Sequence, residues 1–124
     1  MPIPAELDGF NVSDAVSRML DQPALWWQSV EIFVDHYADW VDDWRVSQGD
    51  GVQEHKRVHA LHGAAANIGA EDLAAAARLM EQALAGGTAG QVEACRVQLQ
   101  ACYHKTWQAA ADARLRCGVS EGRC

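Results

Sequence analysis

The sequence predicts an all-α fold: an antiparallel up-down-up-down four-helix bundle with a short additional helix at the N-terminus. Alanine is the commonest residue and the three prolines lie in the first fifth of the chain, a composition that favours helices. Apolar residues recur at spacings of three and four along four long segments, and no segment shows the alternation of a strand. The turns between these segments span about 3–5 residues, which forces neighbouring helices to run antiparallel.

The chain length fits a single domain. Its 124 residues, 49% of them hydrophobic, are sufficient for one modest core. Residues 1–10 are expected to form an extended lead-in and residues 117–124 a loose tail. A short helix is predicted over residues 13–20, with Asn11 or Ser13 as its cap.

The second helix is predicted to start at Asp21-Gln22-Pro23, with Asp21 as an acidic cap and the proline in the first turn, and to continue to about Val46. Its inward stripe is mostly aromatic, with spacings of 4, 3, 4, 3 and 4: Trp26, Val30, Phe33, Tyr37, Trp40 and Trp44. We expect this stripe to form core, and expect Trp26 or its neighbour Trp27 to be partly exposed.

The remaining three helices follow short turns. The third is predicted from Asp50, with Gln53 completing a capping-box-like start, to Gly69 as its C-terminal stop. The fourth and fifth cover residues 71–85 and 89–115. Their inward positions repeat every three or four residues: Val58, Leu61, Ala65 and Ile68; Leu73, Ala77, Met80 and Leu84; Val92, Cys95, Leu99, Cys102 and Thr106.

The charge and the termini exclude several classes of function. The formal net charge is -7 and no long basic run occurs, which argues against nucleic acid and anionic membrane surfaces as partners. No signal peptide and no run of 18 apolar residues are visible. We therefore expect a cytoplasmic protein without direct membrane contact, although a module cut from a larger membrane protein would look the same.

The four cysteines do not predict a disulfide or a metal site. Cys95 and Cys102 are about 10 Å apart along one predicted helix, too far to bridge. No Cys/His spacing typical of zinc is present, so reduced thiols are expected.

The third helix carries the candidate chemistry at His59. Residues three and four away from it share its face, which flanks the core stripe and meets solvent. A neutral imidazole is a competent nucleophile near neutral pH, and Lys56 and His62 can offset the charge of a phosphoryl group carried on it. Gly63 costs about 1 kcal/mol relative to alanine in a helix. Its best explanation is steric clearance of the imidazole; the alternative is close packing of a neighbouring helix.

The stretch from His59 to Gly69 closely resembles the motif of the histidine-containing phosphotransfer (HPt) family, which reads His-x-Leu-Lys-Gly followed by small residues and a glycine. The resemblance implies that His59 is the phospho-acceptor, taking a phosphoryl group from a receiver-domain aspartate and passing it to another receiver. It also implies no ATP-dependent kinase activity, and the chain has no Gly-rich phosphate loop. The expected partners are receiver domains of response regulators or hybrid histidine kinases, with any Mg²⁺ on the receiver and no cofactor on this chain.

The chain departs from the family motif at position 62, where the family usually has lysine. Lysine is a cation throughout the neutral range, whereas histidine is charged only in part. Either Lys56 substitutes, or phosphohistidine is less stabilised and more pH-sensitive here.

The fourth helix is expected to supply supporting groups. In related phosphotransfer domains a polar residue of this helix contacts the active imidazole; in the chemotaxis kinase's domain it is a glutamate, at the spacing that falls on Glu81. A carboxylate on Nδ1–H would leave Nε2 as the nucleophile. Arg78, three residues earlier, is a further candidate for phosphate charge support; the alternative is that Arg78 and Glu81 form a solvated surface pair.

Three alternatives remain beside a monomeric phosphorelay intermediate. A helical adaptor would dock a signalling partner without being phosphorylated. A metal-binding bundle would use His55, His59 and His62, but few acidic residues flank them and Lys56 lies among them, so we expect no physiological metal. The helix pair of a dimeric kinase is disfavoured because alanine, not an acidic residue, follows His59. Whether the domain stands alone or forms the C-terminal module of a membrane-bound hybrid sensor kinase stays open.

Overall fold

A computed structural model of the protein describes residues 3–118, and within them it contains helices and turns but no strand. The helices are α1 (Val12–Arg18), α2 (Pro23–His36), α3 (Trp40–Ser47), α4 (Gly51–Asn67), α5 (Glu71–Gly86) and α6 (Ala89–Ala113), and α6 continues into a π-helical turn (Arg114–Gly118). Helix α4 packs on α5 and α5 on α6, while α2 contacts both α4 and α6 and so closes the bundle. The predicted all-α helical bundle is confirmed.

The predicted second helix is wrong in one respect, because it is broken at residues 37–39 into α2 and α3. No proline or glycine marks this break. The Tyr37 carbonyl accepts the Tyr103 hydroxyl of α6 and the Trp40 N–H three residues on. The break therefore coincides with a contact from a distant helix, in a segment whose local periodicity is continuous.

The aromatic stripe of α2 and α3 sets the register of α4. Its side-chain N–H and O–H groups donate hydrogen bonds to α4 and to the turn that follows. The later a donor stands in the sequence, the earlier its acceptor stands, which is the pattern of antiparallel helices. The pairs are Trp26 Nε1 to Ile68 O (2.9 Å), Tyr37 OH to Ala60 O (3.3 Å), Trp40 Nε1 to Arg57 O (3.3 Å) and Trp44 Nε1 to Glu54 Oε2 (2.9 Å).

The expectation that Trp26 or Trp27 is partly exposed is wrong, since both are buried. The two indoles pack edge to face, with ring centroids 4.8 Å apart. The inward positions of α4 are confirmed, because Val58, Leu61 and Ala65 are fully buried.

Helix α1 docks on the turn between α4 and α5 through Gly69. This glycine has φ +78°, and an added Cβ would lie 2.6 Å from the Asn11 carbonyl oxygen and 2.9 Å from the Ala15 Cβ. The Asn11 N–H donates to the Gly69 carbonyl at 2.7 Å. Asn11 also caps α1 with its side chain, and the helix ends at Arg18, because Leu20 and Asp21 adopt positive φ values of 60° and 55°.

Glu54, at the start of α4, forms a buried ion pair. Its side chain is 1% exposed and accepts three hydrogen bonds, from Trp44 Nε1 at 2.9 Å and from Arg96 Nε and Nη2 of α6 at 2.9 and 2.6 Å. The hydrogen bond to Glu54 raises the pKa of the Arg96 guanidinium, and burial acts in the opposite direction. Both oxygen atoms of this buried carboxylate therefore accept hydrogen bonds from groups of the protein that do not lose their proton near neutral pH, an indole and a guanidinium.

The two ends of the chain are only partly described. Residues 3–10 form neither helix nor strand, although Leu7 and Phe10 pack against the core. Helix α6 ends two residues before its predicted end, and residues 117 and 118 of the predicted tail belong to the π-helical turn; residues 119–124 lie outside the described part.

Two smaller expectations concern thiols and membranes. Cys95 and Cys102 are free, as expected, and burial raises the pKa of the Cys102 thiol. Among the described helices, none is long and apolar enough to cross a membrane.

Candidate functional site

The candidate site lies on the outer face of the α4–α5 hairpin, around His59. The side chain of His59 is 71% exposed, although it follows the buried Val58 and lies two residues before the buried Leu61. Helical rotation of about 100° per residue explains this, because it places His59 at the edge of the core stripe. The imidazole is therefore accessible to another protein while its helix is anchored by core residues.

The side chain of Glu81, on α5, contacts His59 directly. The His59 Nδ1 atom lies 3.1 Å from Glu81 Oε1. Because an ionised carboxylate only accepts hydrogen bonds, this contact assigns the ring proton to Nδ1 and leaves a lone pair on Nε2. The contact expected from the spacing of Glu81 is thus present, whereas its role in transfer stays a prediction.

The same carboxylate oxygen also serves His62. The His62 Nδ1 atom lies 3.2 Å from Glu81 Oε1, and the side chains of His62 and Glu81 are 29% and 16% exposed. His59 and His62 are three residues apart and therefore share one helix face. Two imidazoles thus lie within hydrogen-bond distance of one carboxylate oxygen, an arrangement that the sequence pattern did not predict.

The cations predicted to support a phosphoryl group lie on two different sides of His59. Arg78 and His62 line one groove of about 480 Å³ between α4, α5 and α1. Lys56 lines another groove, beside Tyr37 and Trp40. Within residues 3–118, neither Arg78 nor Lys56 forms an ion pair, so the predicted alternative of an Arg78–Glu81 surface pair is not present.

Arg18 is a further cation of the first groove that sequence reasoning missed. It comes from the last turn of α1, donates from Nη2 to the Ala66 carbonyl at 3.0 Å and pairs through Nε with Asp14 at 3.2 Å. A basic residue in the last turn of a helix is visible in the sequence, but its position beside α4 depends on the docking of α1 at Gly69.

Gly63 lies on the exposed surface one turn after His59. A Cβ added there would meet no atom within 4 Å. No described helix packs against this glycine, which removes the alternative that it admits a neighbouring helix. The added Cβ would not touch the His59 ring either. If Gly63 keeps space free beside the imidazole, that space is available to a molecule that approaches from solvent.

Comparison with known protein families gives one result, a match of the Hpt domain model to residues 28–115. Comparison with curated proteins gave no match, and comparison with solved structures gave none. The matched segment contains α3, α4, α5 and α6 in full and most of α2, and so includes the whole His59–Glu81 site. Hpt domains are phosphocarriers of two-component phosphorelays, they interact with receiver domains and they are not kinases. Because the match covers well over half of its residues, the chain belongs to the Hpt domain family.

Proposed function

We propose that this protein is a phosphorelay intermediate in which His59 accepts a phosphoryl group from a receiver-domain aspartate and passes it to a second receiver. The observation that carries the proposal is the contact of His59 Nδ1 with Glu81 Oε1 on an imidazole that is 71% exposed. Exposure gives a partner access to the ring, and the carboxylate directs the free lone pair to Nε2.

The transfer step needs no group beyond the imidazole and the donor. The Nε2 lone pair attacks the phosphorus of the aspartyl phosphate, a P–N bond forms, and the bond from phosphorus to the aspartate oxygen breaks. The aspartate leaves as a carboxylate, while the proton on His59 Nδ1 stays in its hydrogen bond to Glu81. The imidazole ring becomes positively charged, and the negative charge of Glu81 offsets it in both directions of transfer.

The surrounding cations support the charge of the transferred group in this proposal. Arg78, His62 and Arg18 line one groove beside the acceptor, and Lys56 lies on the opposite side. Charge-assisted hydrogen bonds from guanidinium groups suit phosphoryl oxygens. We assign the Mg²⁺ needed for aspartyl chemistry to the receiver and no cofactor to this chain.

The proposed partners are receiver domains of response regulators or hybrid histidine kinases, which dock on a monomer. The exposed surface of α4 one turn after His59 consists of Gly63 and small residues, so a partner surface can approach the ring closely. A modest interface suffices for a transient encounter of this kind. We place the domain in the cytoplasm, alone or as the C-terminal module of a membrane-bound hybrid sensor kinase.

The central test follows a phosphoryl label. The protein is mixed with a receiver domain carrying labelled aspartyl phosphate, and the label on each chain is measured over time. We expect an acid-labile label on the wild-type protein and none on His59→Gln, whereas His55→Gln, a matched variant one turn earlier, accepts the label. A His59→Gln protein that still accepts it would overturn the proposal, and unchanged signalling output in that variant would instead favour a non-phosphorylated adaptor.

A further inference from the structure

We propose that His59, His62 and Glu81 also form a binding site for Zn²⁺, and that the bound ion silences His59 as a phosphoryl acceptor. The binding site stands on the geometry alone. Its regulatory effect rests on the proposed function, because an ion can silence only a histidine that is otherwise active.

The three side chains are close enough together to share one ion. His59 Nδ1 and His62 Nδ1 lie 3.1 and 3.2 Å from Glu81 Oε1, and the three side chains offer ligand atoms that all lie within 4.8 Å of one another. With metal–ligand distances of about 2.0–2.2 Å, the ligand atoms of a tetrahedral zinc site are separated by roughly 3.4 Å. Small side-chain rotations therefore suffice to admit the ion.

The donor set selects the class of ion. Two imidazole nitrogens and one carboxylate oxygen suit zinc, whereas Mg²⁺ prefers oxygen ligands only. The sequence argued against a metal here because few acidic residues flank the histidines on their own helix. The structure supplies the missing carboxylate from α5, and Lys56 lines a groove that none of the three ligand residues lines.

The exposure of the cluster leaves room for the remaining coordination position. His59 is exposed, and His62 and Glu81 are half-buried, so a water molecule can complete the tetrahedron. Structural zinc sites are usually closed by four protein ligands, whereas this cluster offers three and leaves one position to solvent. We therefore expect reversible binding, not a permanent structural ion.

Proton placement explains why the ion would silence the histidine. In the metal-free protein the proton of His59 lies on Nδ1, in the hydrogen bond to Glu81, and the Nε2 lone pair is free. When Nδ1 donates its lone pair to zinc, the single proton of the neutral ring moves to Nε2. The lone pair that would attack phosphorus is then absent, even though the ring stays accessible.

The first experiment measures binding without any phosphotransfer. Protein prepared without an affinity tag and treated with a chelator is titrated with Zn²⁺ against a fluorescent zinc indicator. We expect one equivalent to bind to the wild type, at least tenfold weaker binding in His62→Lys and Glu81→Gln, and unchanged binding in the matched variant His104→Gln on α6. Absence of wild-type binding at micromolar zinc, or equal binding in His62→Lys, would overturn the site.

The second experiment repeats label transfer from the phosphorylated receiver, at constant Mg²⁺, with and without saturating Zn²⁺. We expect zinc to stop labelling of the wild type and to leave His62→Lys labelled at its zinc-free rate. Equal inhibition of both proteins would mean that zinc acts on the receiver, and would overturn the silencing.

Failure of one proposal can be told from failure of the other. A protein that is labelled but binds no zinc refutes the metal site and leaves the phosphorelay function intact. A protein that binds one zinc ion but takes no label refutes the phosphorelay function and retains the site.

Discussion

Two glutamates on neighbouring helices use their carboxylates in opposite ways. Glu54 is 1% exposed and is held by Trp44 and by both Nε and Nη2 of Arg96. Glu81 is 16% exposed and shares one oxygen between the imidazoles of His59 and His62. The partners of Glu54, a guanidinium and an indole, act only as hydrogen-bond donors. The partners of Glu81 are imidazoles, which can gain, lose or move a proton and can bind a metal ion.

This difference separates stability from chemistry within one small bundle. A carboxylate removed from water must keep its partners, because an unpaired buried charge is costly. A carboxylate near the surface can lose a partner to solvent at little cost. The chain therefore places its permanent ion pair in the interior and its exchangeable one near the surface. Substitutions at the first should affect mainly stability, and substitutions at the second mainly phosphoryl transfer.

The largest effect on stability is expected from Arg96→Met. This change leaves the Glu54 carboxylate buried without its cation, and should lower the free energy of unfolding by about 3–5 kcal/mol. Urea unfolding monitored by tryptophan fluorescence measures it.

The control for this prediction is the double variant Glu54→Gln with Arg96→Met. Glutamine removes the buried charge and keeps an acceptor for Trp44 Nε1, so much of the stability should return. A double variant no more stable than Arg96→Met would mean that lost packing of the arginine, and not the unpaired charge, causes the defect.

A smaller change of opposite sign is expected from Gly63→Ala. The added Cβ meets no atom within 4 Å, so the substitution should raise the free energy of unfolding by about 0.8–1.0 kcal/mol through helix propensity alone. Transfer from a phosphorylated receiver should become slower, and slower still in Gly63→Leu. Unchanged transfer in both variants would show that no partner approaches this part of α4.

Glu81→Gln should hardly affect stability, with a change below about 1 kcal/mol, because the lost contacts are near the surface. The rate of phosphoryl transfer should fall by about ten- to a hundredfold, since the ring is less well oriented and its positive charge is no longer offset. Stopped-flow or quenched label transfer measures this rate. The exposed Glu31→Gln on α2 is the control, and a Glu81→Gln rate equal to that of the control would remove Glu81 from the mechanism.

The smallest effect on stability is expected from His62→Lys, which restores the usual family residue. Lysine keeps a cation next to Glu81 and stays charged at neutral pH, where histidine is charged only in part. The lifetime of phosphohistidine should lengthen and should depend less on pH, because the lysine stays a cation throughout the neutral range. An unchanged lifetime and an unchanged transfer rate would show that position 62 does not support the phosphoryl group.

The parts of the molecule that follow from local pattern were predictable. Helix periodicity identified the inward face of α4 and put His59 and His62 on one helix face, and the capping residue Asp50 marked the start of α4. The resemblance to known phosphotransfer domains added Glu81. Each of these inferences depends on residues close together in the sequence or on a family motif.

Features decided by packing between distant residues were not predictable. The break at residues 37–39 lies where the hydroxyl of Tyr103 meets the Tyr37 carbonyl, and the approach of Arg18 to α4 depends on the docking of α1 at Gly69. The sharing of one Glu81 oxygen depends on the rotation of α5 against α4. Spacing along one helix contains no information about how a second helix turns toward it.

The sequence distances spanned by the two carboxylates have a consequence for folding. The Glu81 contacts join residues 22 and 19 positions apart within one helical hairpin, whereas the Glu54–Arg96 pair joins residues 42 positions apart. The entropic cost of closing a loop increases with its length. We therefore expect the α4–α5 hairpin to form before α6 is joined to α4 by the Glu54–Arg96 pair. Pulse-labelling hydrogen exchange would then detect protected amides in α4 and α5 ahead of those in α6. The site would be among the first parts of a nascent chain to assemble and among the last to be lost on unfolding.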